Sequence, residues 1–150
     1  MSHFTLQFDA GGPLLRAVVS VSAARAGALT AASQELPPPV PIQALVDTGA
    51  SCTCIDPDIL INRLGLMATG EAECLTPTTG ATPQKMKLYD IGLRIMAGSV
   101  TEPHLYLDPL PVMESGLFDG QGIHALIGRD VLNRCVLIYN GTTRLFTLSY

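Results

Sequence analysis

Apolar and polar residues alternate along several stretches of this chain, which is the pattern of β-strands that bury one face. Residues 4–8 alternate in this way, and the pattern returns over residues 17–21 after a glycine-rich turn. Together these stretches predict a β-hairpin at the start of the chain. Residues 23–41 are rich in alanine and serine and contain three consecutive prolines, so they predict a stiff, exposed connection without regular structure.

The middle of the chain predicts further strands around one short helix. The apolar run 42–46 predicts a buried strand. Residues 56–65 begin with Asp-Pro-Asp and close with glycine, which are the residues favoured at the start and just past the end of a helix. Residues 71–76 and 84–95 flank a polar turn, and the second of them alternates strictly, so they predict a long hairpin.

The last third of the chain predicts two strands, a second helix and a closing hairpin. The strands are residues 100–107 and 125–128, the helix covers residues 129–134, and the hairpin strands are residues 135–139 and 142–148. Asn140-Gly141 predicts a two-residue hairpin turn. Residues 108–122 are rich in proline and glycine and predict a surface loop, which either shapes a pocket or covers the protein body. Strands dominate, so we expect a closed, all-β architecture.

Composition fits one folded domain over residues 1–150, and it excludes several classes of partner. Hydrophobic residues make up 47% of the chain and charged residues 15%, which indicates a large core rather than disorder. A net charge of -4 with 9 basic residues gives no footprint for nucleic acid or a membrane surface. The first residues lack the basic region and apolar stretch of a signal peptide, and no apolar run is long enough to span a membrane, so we expect a cytoplasmic protein.

Four cysteines are compatible with two disulfides, but in a cytosolic protein they predict reduced thiols that fill the core. Cys52 and Cys54 are spaced like half of a metal site. They have neither a matching pair nor a nearby histidine, so we expect no bound metal and no cofactor.

The strongest candidate for chemistry is Asp47, which follows the buried strand 42–46 and is followed by Thr48 and Gly49. A turn of this composition holds a carboxylate rigidly with backbone and hydroxyl donors. Peptide hydrolysis by carboxylates needs two of them, and the chain contains no second Asp-Thr-Gly or Asp-Ser-Gly. If Asp47 is catalytic, a second copy of the chain has to supply the other carboxylate.

Four features follow one another along the chain. They are an apolar strand that runs into Asp-Thr-Gly-Ala-Ser, a helix, a Thr-Gly hairpin and the string Ala-Leu-Ile-Gly-Arg-Asp-Val-Leu at residues 125–132. This arrangement resembles the retroviral-type (retropepsin-like) aspartic proteases over roughly residues 40–150. The resemblance implies a retropepsin-like closed β-barrel with one or two short helices and one lobe per chain. It also implies a homodimeric aspartic endopeptidase, in which a water between two Asp47 carboxylates attacks peptides that carry hydrophobic residues near the cleaved bond.

The same resemblance assigns supporting roles to residues of the Asp47 loop. Thr48 would hydrogen-bond across the dimer axis, Gly49 would let the backbone approach the substrate, and Ala50 and Ser51 would contact the substrate. Because Ala50 lacks a hydroxyl that favours ionised aspartate, we expect a mildly acidic to neutral pH optimum rather than one well below the ordinary aspartate pKa of about 3.9.

Two further segments complete the implied site. Residues 77–80 correspond in position to the flap that closes over a peptide, which leaves open whether Thr78, Thr79 or Gly80 touches the substrate. Ile127, Gly128 and Arg129 would support the Asp47 loop. Viral members often carry an aspartate at the position of Ser51 that pairs with this arginine, so the partner of Arg129 is open between Asp130 and a carboxylate of the other subunit.

Other interpretations of the sequence are weaker. A dimeric peptide-binding or scaffolding module with the same fold but no activity is the main alternative. The glycine-rich residues 120–125 lack the strand and long helix of a dinucleotide site. The histidines are scattered without a serine or cysteine motif, and Asp47 lacks the lysine and acidic neighbours of a phosphoryl acceptor. The apolar terminal strands either belong to the core of one chain or pair across the dimer.

Overall fold

The computed structural model describes residues 2–75, 81–96, 104–116 and 122–150. These residues form ten strands, two α-helices and one π-helical segment. In chain order the elements are β1 (His3–Gln7), β2 (Leu14–Val21), α1 (Ala23–Ala31), β3 (Val40–Val46), β4 (Cys54–Ile55), the π-helical segment Asp58–Arg63, β5 (Gly70–Cys74), β6 (Gln84–Ile95), β7 (Leu105–Glu114), β8 (Ala125–Ile127), α2 (Arg129–Leu132), β9 (Val136–Asn140) and β10 (Leu145–Ser149). Strands dominate and helices are few, as the sequence predicts.

Six strands close into a barrel. The larger sheet has the order β2-β3-β8-β4-β7-β6-β5, and β2 also pairs with β6, which joins the two ends of the first six strands. β5 continues outward as the hairpin partner of β6. The predicted closed β architecture and the predicted long hairpin are therefore confirmed.

The barrel interior is filled by the apolar residues of the alternating strands. Alternate residues of β2 (Leu15, Ala17 and Val19) are almost fully buried, and the inward residues of β6 are equally buried. Burying one face of each strand in this way fixes the register, because a shift by one residue would expose the whole apolar set. The barrel thus holds the ends of β3 and β8 in defined positions.

The terminal strands form a separate sheet of three strands in the order β1-β10-β9. The predicted N-terminal hairpin is wrong, because β1 pairs with β10 rather than with β2. Phe4 packs in the core with Phe146 and Leu148, and this burial draws the first strand away from its neighbour in sequence. Within one chain the terminal strands pair with each other, and pairing across a dimer stays a prediction.

The predicted connection over residues 23–41 is wrong in its first half, where α1 forms. The Ser22 side chain accepts a hydrogen bond from the Arg25 N–H (3.3 Å) and caps the helix, and the Asp108 carboxylate accepts from the Ala23 N–H (2.9 and 3.1 Å). Alanine is the best helix former, so the capped alanine run is stable as a helix once Leu29 is buried. The proline segment after it has no regular structure, as predicted.

The predicted surface loop over residues 108–122 is wrong in its first part, because β7 continues to Glu114. Prolines lack an N–H and are tolerated where a strand has a free edge. β4 pairs only with Met113 and Glu114, so Pro109 and Pro111 lie where β7 has a single neighbour, β6. Residues 117–121 lie outside the described residues.

The remaining elements agree with the sequence in position but differ in detail. The helix predicted over residues 56–65 is π-helical, with the Asp56 carboxylate accepting from the Asp58 N–H (2.8 Å) and Gly65 at a positive φ of 61° just past its end. α2 is one turn rather than two. The final hairpin turns through residues 141–144 rather than through two residues, since Asn140 pairs with Leu145. No described helix is long and apolar enough to cross a membrane.

Candidate active site

Asp47 stands at the end of β3, where the barrel gives way to a loop. β3 runs parallel to β8, with Val46 opposite Ile127, and the Asp47 N–H donates to the Ile127 carbonyl (3.0 Å). Ile127 is fully buried. The backbone of Asp47 is therefore fixed by a strand that lies about eighty residues further along the chain.

The side chain of Asp47 is held by its own turn. The Gly49 N–H donates to Asp47 Oδ1 (2.8 Å), and the Ala50 N–H donates to the Asp47 carbonyl (3.3 Å). Such turns restrict the aspartate rotamer without burying it. A Cβ at Gly49 would lie 3.1 Å from Asp47 Oδ1, so the turn is also tight around the carboxylate.

Arg129 holds the loop through its carbonyl groups. Its guanidinium donates to the carbonyls of Thr48 (2.9 Å) and Gly49 (3.1 Å), and its backbone N–H donates to the Ala50 carbonyl (3.0 Å). Three successive carbonyls of the loop are thereby satisfied by one residue. Within one chain the guanidinium therefore binds backbone oxygens of the loop rather than Asp130, and a carboxylate of the other subunit stays a prediction.

Asp130 fixes the chain just after the loop instead. Its carboxylate accepts from the Thr53 N–H (2.9 Å) and from the Thr53 hydroxyl (2.9 Å). The same hydroxyl accepts from the Gly128 N–H (3.1 Å), and Thr53 is fully buried. We call this group of Thr53, Gly128 and Asp130 the threonine clamp.

Gly128 is required by a close approach of two backbones. A Cβ at this position would lie 2.4 Å from the carbonyl carbon of Cys52 and 2.5 Å from its oxygen. Real side chains do not approach backbone atoms so closely, so only glycine lets the two segments pack at this distance.

A cavity of about 770 Å³ opens beside Asp47. Of the residues assigned to the site from sequence, Asp47, Gly49, Ala50 and Ser51 line it. Thr48 is exposed and contributes its carbonyl to Arg129 rather than a wall to the cavity. Thr78, Thr79 and Gly80 lie outside the described residues, so their contact with a substrate stays a prediction.

Most of the cavity wall comes from residues that the sequence interpretation did not select. They are Cys52, Cys54, Pro57, Cys74, Leu75, Gln84, Lys85, Met86, Met113, Glu114, Ser115, Gly116 and Leu126. Those from the end of β7 were missed because the prolines of that strand indicated a loop. The apolar residues Leu110 and Val112, which alternate with Pro109 and Pro111, were the signal in the sequence that the strand continues. Within this wall, Glu114 accepts a hydrogen bond from the Tyr89 hydroxyl (2.9 Å), and burial together with this bond raises the pKa of Tyr89 to about 12.

Of the four cysteines predicted to fill the core, Cys135 packs against it and the other three do not. All four are free thiols with partly exposed side chains, and three of them line the cavity. A hydrogen bond from the Cys54 side chain lowers the pKa of Cys52 to about 7 against the opposing effect of burial, and the same contact raises the pKa of Cys54. Among the described residues no group of three or more histidine, cysteine or acidic side chains is arranged to hold a metal ion.

A closed barrel that presents an Asp-Thr-Gly loop beside a cavity is the retropepsin-like arrangement, and a solved structure agrees with it. The crystal structure of a retropepsin-like aspartic protease from Rickettsia conorii is 16% identical, has a TM-score of 0.58, and covers 99% of this chain and 90% of its own. The retroviral protease-like domain of Ddi1 from Leishmania major is also 16% identical, with a TM-score of 0.43. That match covers 90% of this chain and 87% of the Leishmania chain. The fold assignment rests on the first of these two.

The family follows from the sequence. A family model described as aspartyl protease matches residues 39–131, more than half of the chain. The chain therefore belongs to the aspartyl protease family. A comparison with curated protein sequences gives no significant match.

The close approach at Gly128 predicts that Gly128→Ala destabilises the protein. The added methyl group overlaps the Cys52 backbone, and overpacking of this kind typically costs about 1–3 kcal/mol, which thermal unfolding would detect as a lower Tm. Gly27→Ala is the control, because nothing lies within 4 Å of a Cβ there and alanine favours the helix. An equal Tm for the two variants would show that the approach at Gly128 relaxes freely.

The threonine clamp predicts that Thr53→Val destabilises the protein more than Thr53→Ser. Valine keeps the shape but leaves the buried Gly128 N–H without an acceptor, at a cost of about 1–3 kcal/mol. Serine keeps the hydroxyl and removes one buried methyl group. Chemical denaturation of both variants measures the difference, and a larger loss in the serine variant would mean that packing rather than hydrogen bonding is what Thr53 contributes.

Proposed function

We propose that the protein is an aspartic endopeptidase whose catalytic pair consists of Asp47 from each chain of a homodimer. The observation that carries the proposal is the Asp47 loop, which is fixed from three sides and opens onto a cavity of about 770 Å³. A carboxylate held this rigidly, but left partly exposed, is suited to chemistry on a bound molecule. Membership of the aspartyl protease family supports the same function.

The need for a second chain follows from the number of carboxylates. The only Asp-Thr-Gly of the sequence contains Asp47, and Glu114, the other acidic residue among the described cavity-lining side chains, accepts a hydrogen bond from Tyr89. A twofold axis brings identical residues together, so a dimer that places the two loops face to face supplies the missing partner. Thr48 is exposed on this loop, where it is available to the second chain.

The terminal sheet offers apolar surface to a second chain. Val136 and Ile138 on β9 are 51% and 57% exposed, and Leu145 on β10 is 38% exposed. The register pairs Val136 with Ser149, Ile138 with Thr147 and Leu145 with Asn140, so these side chains share the outer face of the sheet. Exposed apolar residues grouped on one face favour an interaction site.

Two close aspartates share one proton, because ionising both would place like charges together. The ionised Asp47 takes a proton from a water bound between the carboxylates, while the protonated Asp47 donates to the oxygen of the scissile carbonyl. The water oxygen adds to the carbonyl carbon without a covalent bond to the enzyme. Collapse of this tetrahedral intermediate, with a proton passed to the leaving amine, releases the two products.

The cavity wall indicates the class of substrate. Leu75, Met86, Met113 and Leu126 give it an apolar lining, and methionine side chains adapt to different shapes. We therefore propose polypeptide substrates with hydrophobic residues beside the cleaved bond. The hairpin of β5 and β6 carries Leu75 and Met86 at its outer end, so residues 77–80 between the strands are proposed to cover the bound peptide.

We expect Asp47→Asn to abolish cleavage of a mixed peptide library, because asparagine keeps the shape and loses the carboxylate. Asp9→Asn is a matched control, since the Gly11 N–H donates to Asp9 Oδ1 (2.7 Å) in the same kind of turn outside this cavity. Mass spectrometry of the peptide products measures cleavage, and thermal unfolding shows that both variants fold. Unchanged cleavage in Asp47→Asn would refute the catalytic role, and peptide binding without cleavage by the wild type would identify a binding module.

A site built from two chains also predicts that specific activity falls on dilution. Dissociation separates the two Asp47 residues, so the loss should follow the dimer dissociation constant measured by sedimentation. Mixing wild type with an excess of Asp47→Asn chains should inhibit in the same way, because mixed dimers hold one carboxylate. Constant specific activity in a protein shown to be monomeric would contradict the two-chain site.

A further inference from the structure

Three of the four cysteines meet at one cavity. Cys52, Cys54 and Cys74 line the space beside Asp47, and only Cys135 lies elsewhere. All are unpaired thiols, and none has a role in the carboxylate chemistry proposed above. A wall that contains three partly exposed thiols is open to any oxidant that enters the cavity.

The threonine clamp directs Cys52 and Cys54 towards the same cavity. Thr53 directs its side chain into the protein towards Asp130, so the residues on either side of it face the cavity. The Cys54 thiol is directed back towards residue 52, with its Sγ 3.8 Å from the Cys52 carbonyl oxygen. Both side chains line the same cavity, two residues apart along the chain.

The interaction between their side chains gives Cys52 and Cys54 different reactivities. The hydrogen bond from Cys54 lowers the pKa of Cys52 to about 7, so a substantial fraction of Cys52 is thiolate at neutral pH. The pKa of Cys54 is raised by the same contact and by burial, so Cys54 stays protonated. A thiolate beside a protonated thiol is the arrangement of an attacking and a resolving cysteine.

We propose that Cys52 and Cys54 are an oxidation site, at which a hydroperoxide converts the two thiols into a disulfide in the wall of the cavity. The Cys52 thiolate attacks one peroxide oxygen, the O–O bond breaks, and the other oxygen leaves as an alkoxide, or as hydroxide when the oxidant is hydrogen peroxide. This leaving group takes up the proton that Cys52 released on ionising and becomes an alcohol or water. The Cys54 sulfur then attacks the resulting sulfenic acid, which forms the S–S bond and releases hydroxide. The hydroxide takes the Cys54 proton and leaves as water, so two thiols lose two electrons and the peroxide gains them.

The disulfide acts on the neighbouring site through the backbone. Joining residues 52 and 54 bends the chain at Thr53, whose N–H and hydroxyl are bound to Asp130. The carbonyl of Cys52 also packs on Gly128, so the strain reaches the loop that carries Asp47. Oxidation therefore lowers cleavage, a consequence that rests on the proposed function, whereas the thiol chemistry does not.

The experiment treats the reduced protein with hydrogen peroxide, blocks the remaining thiols with iodoacetamide and maps the tryptic peptides by mass. Cys52 and Cys54 fall in one peptide, residues 26–63, while Cys74 falls in residues 64–85 and Cys135 in residues 135–144. The expected product is peptide 26–63 without blocking groups and lighter by two hydrogen atoms. It should form on the order of tenfold faster than oxidation at the other two cysteines, since thiolate content controls the rate.

Variants separate the steps. Cys52→Ser should leave Cys54 reduced, Cys54→Ser should stop at a Cys52 sulfenic acid that dimedone traps, and Cys74→Ser is the matched control that should still form the disulfide. A cross-link between peptides 26–63 and 64–85, or faster oxidation of Cys74 or Cys135, would overturn the proposal.

The effect on cleavage is measured on the same samples before peroxide, after peroxide and after reduction with dithiothreitol. Wild type should lose cleavage and regain it, whereas Cys52→Ser should keep whatever activity it had before treatment. Cleavage unchanged in fully oxidised protein would overturn the regulatory consequence. An inactive reduced protein would refute the proposed function instead, and the peptide masses would still decide whether the thiol pair exists.

Discussion

The buried hydroxyl of Thr53 is the interaction on which the geometry of the site depends. It accepts from the Gly128 N–H and donates to Asp130, so it joins the chain after the Asp47 loop to the chain after β8. The Asp47 N–H bonds to Ile127 in the same region, one residue before Gly128. The chain around Asp47 and the chain after β8 thus form one rigid unit, and the backbone that carries the Asp47 carboxylate is held in place by it. Because the hydroxyl is fully buried, water cannot replace either bond if one partner is lost.

Arg129 belongs to the same unit, and its positive charge is directed at backbone carbonyls rather than at the Asp47 carboxylate. Its guanidinium donates to the carbonyls of Thr48 and Gly49, and so stiffens the loop without neutralising the Asp47 carboxylate. The Asp130 carboxylate likewise accepts from Thr53 rather than from the Arg129 guanidinium. Because the loop is stabilised through its carbonyls, the Asp47 carboxylate stays available to a second carboxylate, as the proposed chemistry needs.

The sequence predicted the barrel strands β2, β3, β6 and β8 and the Asp47 loop, because these depend on local runs of apolar residues and on a turn with few alternatives. It did not predict the pairing of β1 with β10, since the choice between two apolar partners depends on the packing of Phe4 in the folded chain. The sequence did not predict helix α1, because the adjacent prolines outweighed the capped alanine run. It did not predict the end of β7 either, because prolines usually indicate a loop, whereas Pro109 and Pro111 are tolerated at a free edge. The cavity wall from β7 and the role of Arg129 could not be predicted, because both depend on distances between elements that no local pattern contains.

The threonine clamp also links the two kinds of chemistry proposed for this cavity. The bonds that hold Thr53 fix the chain beside Asp47 on one side and direct Cys52 and Cys54 to the cavity wall on the other. A disulfide formed there has to compete with the clamp, because the backbone at Thr53 cannot bend without loosening its bonds to Asp130. Competition of this kind makes a disulfide easier to reduce than one in relaxed backbone. The rigidity that positions the carboxylate therefore favours reversible oxidation of the thiols beside it.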